Sequence, residues 1–188
     1  PEQSTSWEIG WDQQVGPTVL SATYFQADLE DEIYTAFDVN FNSTALNRAG
    51  KSKRSGVELS GRWEATSALS FAGQATFLQS ESDDGSDEIR VPDSTASLSV
   101  DWQPNADGMR VGAAFDYVGE QDDFDFGSYP SRRLTLDAYT LFSASLEFPL
   151  TERMALTLRG ENLFDETATD VYGYETPGAA AFIGLKLR

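Results

Sequence analysis

Hydrophobic and polar residues alternate along most of this 188-residue chain. From Leu134 to Phe148 the even positions are mainly apolar, whereas the odd positions include Thr135, Asp137 and Glu147. Because successive side chains of a β-strand point to opposite faces, this period predicts strands with one apolar and one polar face. The alternation recurs in eight further stretches, namely Trp7–Trp11, Val19–Ala27, Val57–Glu64, Ser97–Trp102, Leu69–Phe77, Met109–Tyr117, Met154–Phe164 and Ala181–Leu187. We therefore predict an all-β fold with about nine antiparallel strands.

The composition argues against several classes of protein. The net charge of −18 repels nucleic-acid phosphates, so no nucleic acid is expected as a partner. The chain has no Cys and no His, which leaves no thiolate metal site and no histidine base. Acid pairs such as Glu58 with Glu64, or Asp137 with Glu147, could suit a glycosidase, but no pair is singled out. We predict no catalytic residue, no cofactor and no enzyme activity.

The connections between the predicted strands alternate in length. Short connections occur at Gln14–Pro17, Ala65–Ala68, Pro104–Gly108 and Pro149–Glu152, and long polar ones at Glu30–Ser52, Glu81–Asp93, Glu120–Arg133 and Asp165–Gly178. No apolar run reaches the roughly 18 to 20 residues of a membrane-spanning helix, so membrane crossing would use strands. Outer-membrane barrels have short periplasmic turns and longer extracellular loops. The pattern predicts an antiparallel up-and-down transmembrane β-barrel segment in the bacterial outer membrane.

The expected sheet is only part of a barrel. Nine strands are an odd number, and an unclosed sheet would expose unpaired backbone groups to lipid. The chain begins at Pro1 without an export signal, which predicts a piece of a longer precursor. About thirteen further strands would complete a 22-stranded transporter barrel. We expect these strands to precede Pro1, with the N-terminal edge outside and Arg188 in the periplasm.

Four short motifs resemble those of TonB-dependent outer-membrane receptors. They are Pro1–Gly10 at a strand entry, Ser55–Glu58 at a strand start, Glu161–Asp165 near the penultimate strand, and Tyr172–Gly178 before the last strand. The chain departs from the family at Ala179, where Arg is usual, and at Arg188, where barrels usually end in an aromatic residue. The motif residues carried over are Asn162, Leu163, Phe164, Asp165, Tyr172, Tyr174 and Gly178.

The resemblance implies TonB-energised uptake of a scarce nutrient complex. Residues 1–188 would be the C-terminal part of the receptor barrel, and the plug domain and the TonB-contacting segment would lie in the absent N-terminal part. Ala113–Gly119 followed by Tyr129 and Pro130 resembles cobalamin receptors most, slightly ahead of ferric siderophore receptors. The expected partners are TonB, the plug domain, a ligand of one of these two kinds, and the outer membrane with its lipopolysaccharide.

One long connection interleaves acidic and aromatic residues and is the candidate ligand-binding loop. Its aromatic rings could stack on a flat ligand while its carboxylates hold cations. The alternative is a loop that folds over the barrel mouth. A second acidic run, Asp83–Glu88, lacks the spacing of a calcium loop, so a solvated loop is expected and no metal site is predicted. The candidate ligand-binding residues are Asp122, Asp123, Phe124, Asp125, Phe126 and Tyr129.

Three other kinds of protein could carry such strands. A structural or adhesive outer-membrane barrel would lack a plug and a TonB-contacting segment. A secreted glycan-binding β-sandwich would be monomeric in buffer without detergent. A hydrolase would depend on one particular carboxylate for turnover.

Overall fold

The computed structural model describes residues 1–187, and thirteen antiparallel strands account for the regular structure of that range. Nine of them form one sheet, in which the strands lie side by side in their order along the chain. The other four form two separate hairpins. The strands of this sheet are β1 (Gln3–Val15), β2 (Thr18–Glu30), β5 (Lys51–Thr66), β6 (Leu69–Glu81), β7 (Ser94–Trp102), β8 (Arg110–Val118), β11 (Tyr139–Thr151), β12 (Met154–Glu161) and β13 (Ala180–Leu187). The predicted all-β, up-and-down arrangement is confirmed.

Two hairpins lie within the long connections. Strands β3 (Ile33–Phe37) and β4 (Ser43–Asn47) pair with each other, as do β9 (Gln121–Asp125) and β10 (Arg132–Leu136). The prediction of one strand from Leu134 to Phe148 is wrong, because β10 ends at Leu136 and the sheet strand β11 begins at Tyr139. The alternation of apolar and polar residues shows which side chains share a face of a strand, but it does not show which neighbouring strand that strand pairs with. β10 pairs with β9, whereas β11 pairs with β8, so the chain changes sheets without changing its period.

The register of the sheet aligns the apolar sides of all nine strands. Val57 lies opposite Tyr24 and Phe77, and Leu98 lies opposite Gly73 and Phe115. Directly opposed residues point to the same face of a sheet, so these side chains form one continuous apolar surface. Further members of this surface are Ile9, Trp11, Leu20, Leu59, Trp63, Phe71, Val100, Trp102, Phe142, Leu146, Phe148, Leu156, Leu158, Ile183 and Leu185.

This apolar surface is exposed rather than covered by a second layer. Phe77, Trp63 and Leu98 are 53%, 48% and 46% exposed. Among residues 1–187 the buried hydrophobic side chains are only Leu136, Tyr139, Ala155 and Ala168. A β-sandwich buries the facing sides of two sheets, whereas these nine strands form a single sheet. An exposed apolar surface of this extent needs an apolar environment.

The height of the apolar surface fits a membrane. On β6 the surface extends from Leu69 to Phe77, which is about 26 Å along a strand that rises about 3.3 Å per residue. A tilt of about 40° reduces this to about 20 Å, close to the roughly 25 Å apolar band of outer-membrane barrels. Trp63 stacks on Phe71 near the short-turn end, with 5.3 Å between ring centroids, as interfacial aromatic residues do. Within residues 1–187 the structure contains no helix able to cross a membrane.

The opposite face of the sheet is polar and carries ion pairs. Arg62 pairs with Glu64 at 2.7 Å, and Arg159 pairs with Glu161 at 3.2 Å. Two further pairs of the same kind are Arg110 with Asp101 and Lys186 with Glu147. Asp137 and Glu147 do not share a strand, because Asp137 lies in the short link between β10 and β11.

Candidate functional site

The four long connections lie at one end of the sheet, because they alternate with the short turns along an up-and-down chain. We call them together the outer mouth, which consists of residues 31–50, 82–93, 119–138 and 162–179. These connections are joined to one another by side chains.

Arginines join the first two connections. Arg48 Nη1 lies 2.6 Å from Asp83 Oδ1. Arg54, on β5 just below, donates two hydrogen bonds to Glu88, of 2.8 and 3.1 Å. Two-pronged guanidinium–carboxylate pairs fix orientation as well as distance. The acidic run Asp83–Glu88 is therefore attached at one end to the first connection and at the other end to β5.

Two more arginines join residues 82–93 to the hairpin β9–β10. Arg90 Nε donates to Asp123 Oδ1 at 2.9 Å, and its backbone amide donates to the carbonyl of Asp122 at 2.7 Å. Arg133 Nε donates to Asp122 Oδ2 at 2.7 Å, and Arg133 Nη2 donates to the carbonyl of Asp87 at 2.6 Å. Three of these four contacts run between the second and third connections, and the fourth, Arg133 to Asp122, lies within the hairpin.

The hairpin is joined in turn to residues 162–179. The backbone amide of Tyr172 donates to Asp123 Oδ2 at 2.8 Å, and Gln121 Nε2 donates to the carbonyl of Asp170 at 3.2 Å. Tyr139, at the start of β11, donates its hydroxyl to Asp170 Oδ1 at 2.6 Å. Contacts therefore continue through all four connections, and the outer mouth is one connected structure.

Asp123 is the most enclosed polar group of the outer mouth. Its relative exposure is 0%, and Phe124 N, Tyr172 N and Arg90 Nε all donate to its carboxylate. Burial raises the pKa of Asp123, but the two backbone amides and Arg90 outweigh it, so the net pKa is lowered. Hydrogen bonds from Arg133 and Thr135 lower the pKa of Asp122. Both carboxylates are charged at neutral pH.

The structure separates the predicted ligand-binding residues into two groups. Asp122 and Asp123 are engaged by arginines within the outer mouth, and Asp125 Oδ1 accepts the amide of Gly127 at 2.9 Å. Phe126 and Tyr129 are 68% and 102% exposed. The ring of Phe124 lies 5.9 Å from that of Phe126, between centroids. The aromatic residues of the hairpin are thus the ones available to an incoming molecule.

The predicted motif residues 162–165 shape the last long connection. Asn162 is buried and has φ of 47°, which ends β12, so the strand predicted to reach Phe164 stops at Glu161. Its side chain accepts the amide of Glu166 at 2.9 Å and donates to the carbonyl of the same residue at 2.8 Å. Asn tolerates positive φ better than most residues, which explains this residue at this position.

Leu163 and Phe164 attach the start of that connection to the sheet. The backbone amide of Leu163 donates to the carbonyl of Phe142 at 2.8 Å, and the rings of Phe164 and Phe142 stack with 5.0 Å between their centroids.

The two motif tyrosines of the last long connection, Tyr172 and Tyr174, are both exposed, at 42% and 75%. Tyr172 also lines a cleft of about 800 Å³ between β10 and residues 166–175, together with Thr135, Asp137 and Glu166.

The acidic run Asp83–Glu88 is organised by local partners. Asp84 accepts hydrogen bonds from the amide and the hydroxyl of Ser86, and these two bonds lower its pKa. Among residues 1–187, no group of three or more acidic side chains is arranged to hold a metal ion.

The sequence analysis did not identify Arg48, Arg90 and Arg133 as the residues that join the connections of the outer mouth. Their signal was the position of a single arginine or an arginine pair within strongly acidic connections.

Comparison with known proteins places this architecture in a family. Residues 1–163 match the family model for the TonB-dependent receptor-like β-barrel. The chain therefore belongs to the TonB-dependent receptor β-barrel family, whose members are receptors of the bacterial outer membrane and not enzymes.

Solved structures agree with the fold. The siderophore receptor PirA from Acinetobacter baumannii is 20% identical, with a TM-score of 0.80 over 100% of this chain and 32% of its own. The ferric-catecholate import receptor Fiu from E. coli K12 is 22% identical, with a TM-score of 0.74 over 98% of this chain and 27% of its own. The copper transporter OprC is 15% identical, with a TM-score of 0.76 over 100% of this chain and 31% of its own. This chain thus spans about a third of the length of the receptors it matches.

Proposed function

We propose that residues 1–188 form the C-terminal wall and the outer mouth of a receptor that takes up a scarce nutrient complex across the bacterial outer membrane, with energy supplied through TonB. The observation that carries the proposal is the continuous apolar surface across all nine strands, with a polar face behind it. That combination suits a wall between lipid and a polar lumen. The polar face, with its ion pairs such as Arg62–Glu64, would meet a plug domain supplied by the N-terminal part of the receptor.

A ferric siderophore is the proposed ligand. PirA is a siderophore receptor, Fiu is a ferric-catecholate import receptor and FpvA is a pyoverdine receptor, and this chain has their fold. Cobalamin is the second candidate, favoured by the resemblance of Ala113–Gly119 and Tyr129 to cobalamin receptors. Cobalamin and catecholate siderophores have flat or aromatic surfaces on which exposed rings such as those of Phe126 and Tyr129 could stack.

Lipopolysaccharide is a proposed neighbour of the wall just above the apolar surface. Lys53 lies opposite Asp28 and Glu81 in register, and Lys51 pairs with Glu30, all on the side of the sheet that carries the apolar surface. Lysines at this height suit the phosphates of the outer leaflet, and the neighbouring carboxylates could bind them through divalent cations.

The test is uptake by the intact receptor in cells. Radioactive ferric siderophores of the catecholate, hydroxamate and pyoverdine types, and labelled cobalamin, are supplied to cells that carry the receptor, with and without a functional TonB. We expect accumulation of one ligand only when both receptor and TonB are present. Accumulation of none of them, or accumulation that does not depend on TonB, would contradict the proposal. The latter result would favour a passive or adhesive barrel.

A further inference from the structure

The carboxylate of Asp123 lies where three of the long connections meet. Its Oδ1 accepts hydrogen bonds from Arg90 of residues 82–93 and from Phe124 N of its own hairpin. Its Oδ2 accepts the amide of Tyr172 of residues 162–179 at 2.8 Å. One side chain therefore links segments that are far apart in sequence.

Asp123 cannot itself contact a ligand in this arrangement, because its exposure is 0%. The exposed rings that could do so, Phe126 and Tyr129, lie on the same hairpin, and Tyr172 lies on the segment that Asp123 holds. We propose that Asp123 is a positioning residue, which sets the placement of these aromatic residues and makes the three connections move as one unit. The part of this proposal that concerns a ligand rests on the proposed function, whereas the mechanical part does not.

The chemistry of the carboxylate explains why no other side chain of similar size would serve. The three groups that hydrogen-bond to it, Arg90 Nε, Phe124 N and Tyr172 N, are all donors, so both oxygens must accept. Asparagine offers one accepting oxygen and one NH₂ group, so in either orientation an N–H donor would face another donor. A buried donor left without an acceptor is destabilised by its lost hydration, and the half-exposed guanidinium of Arg90 loses its counter-charge.

The outer mouth keeps enough other contacts for an Asp123 variant to remain folded. Arg90 N still donates to the carbonyl of Asp122, and Arg133 Nη2 still donates to the carbonyl of Asp87. Gln121 still reaches the carbonyl of Asp170. Strand β8 pairs with β11 along the whole length of β8 without any contribution from Asp123. The change should therefore loosen the outer mouth without unfolding the sheet.

Amide hydrogen exchange of the intact receptor tests the mechanical part. In Asp123→Asn we expect exchange to rise about tenfold or more in residues 82–93, 121–136 and 162–179 together, because a tenfold change corresponds to the loss of one buried hydrogen bond. Asp84→Asn is the matched control, since the hydrogen bonds that Asp84 accepts from Ser86 lie within one connection. A rise confined to Phe124 and Tyr172, with residues 82–93 unchanged, would overturn the coupling.

A second variant separates coupling from simple loss of a contact. Arg90→Gln removes the cation that faces Asp123, but Arg90 makes no hydrogen bond or ion pair to residues 162–179 within the described part of the chain. We expect faster exchange of the Tyr172 amide in this variant as well. An unchanged Tyr172 amide would show that the connections open independently, contrary to the inference.

Ligand affinity tests the positioning part once uptake has identified the ligand. We expect Asp123→Asn to raise Kd about tenfold although Phe126, Tyr129 and Tyr172 are intact, and Asp84→Asn to leave Kd unchanged. A normal Kd in an Asp123→Asn receptor with raised exchange would refute positioning while leaving the proposed function in place. If the wild-type receptor takes up none of the ligands, the proposed function fails, and exchange still decides whether Asp123 couples the connections.

Discussion

Asp165 Oδ1 accepts a hydrogen bond of 2.9 Å from the backbone amide of Ala179, which closes the last long connection just before β13 begins. Gly178 permits this closure, because a Cβ at that position would collide with the same oxygen. Two residues that the sequence motif marks, Asp165 and Gly178, thus act through one contact. Their role in this chain is structural.

We predict that Gly178→Ala breaks the exposed Asp165–Ala179 hydrogen bond and destabilises residues 162–179 locally by about 0.5–1.5 kcal/mol. Exchange of the Ala179 amide measures the change. Asp165→Asn is the matched variant, since Asn retains an accepting oxygen and tolerates the φ of 55° at this position. Equal protection of Ala179 in the wild type and in Gly178→Ala would contradict the prediction.

A second prediction compares the two faces of β7. Leu98 lies on the apolar surface, whereas Ser97 lies on the polar face opposite Gln74 and Asp116. Leu98→Lys should destabilise the folded receptor in bilayers by about 2–4 kcal/mol, because it places a charge in lipid. Ser97→Lys should destabilise the folded receptor much less, because the ammonium group of the new lysine would lie near Asp116 on the polar face. Folding titrations in lipid vesicles measure both variants, and equal destabilisation would argue against the assignment of faces.

The apolar and polar faces of the strands could be predicted from the sequence, because lipid-facing positions require apolar side chains and lumen-facing positions require polar ones. These positions alternate along each strand, so the residue type alone shows the face. Nine sheet strands and their order followed from that period and from the lengths of the connections. The end of β10 at Leu136 and the start of β11 at Tyr139 could not be predicted, because the period is the same on both sides of the break.

The candidate site was predictable only in part for a similar reason. The sequence marked Asp122–Phe126 as unusual but could not tell ligand-facing carboxylates from those held by arginines. Arg90 is remote from Asp123 along the chain, and Tyr172 is further still. Such pairings depend on how the connections fold back on one another, which no local pattern records.

Stability of the outer mouth should depend on pH in a specific range. The pKa values of Asp122 and Asp123 are lowered in the folded state, so the stabilisation they provide is fully present above the ordinary aspartate pKa of about 3.9. It is lost as the pH falls from that value through the lowered pKa values. Exchange of the Phe124 and Tyr172 amides, corrected for intrinsic rates, should therefore rise only below about pH 4. Loss of protection already near pH 6 would be inconsistent with this account.

The exposed rings of the hairpin β9–β10 should contribute to ligand affinity. Phe126→Ala and Tyr129→Ala should each raise Kd by about threefold to tenfold, because each ring offers a stacking surface. Phe41→Ala is the control, since Phe41 is an exposed ring on residues 31–50, outside that hairpin. Titration of the purified receptor with its identified ligand measures the three variants. If Phe41→Ala weakens binding more than both hairpin variants, the ligand contacts lie elsewhere.

The orientation of the wall in the outer membrane is tested most directly by labelling, because this chain contains no cysteine. Single cysteines are introduced at Asn40 and Ser131, in two long connections, and at Ala106, in a short turn, within an otherwise cysteine-free receptor. A membrane-impermeant maleimide is then applied to intact cells. We expect labelling at Asn40 and Ser131 and none at Ala106 until the outer membrane is permeabilised. Labelling of Ala106 in intact cells, with Asn40 and Ser131 protected, would contradict the account.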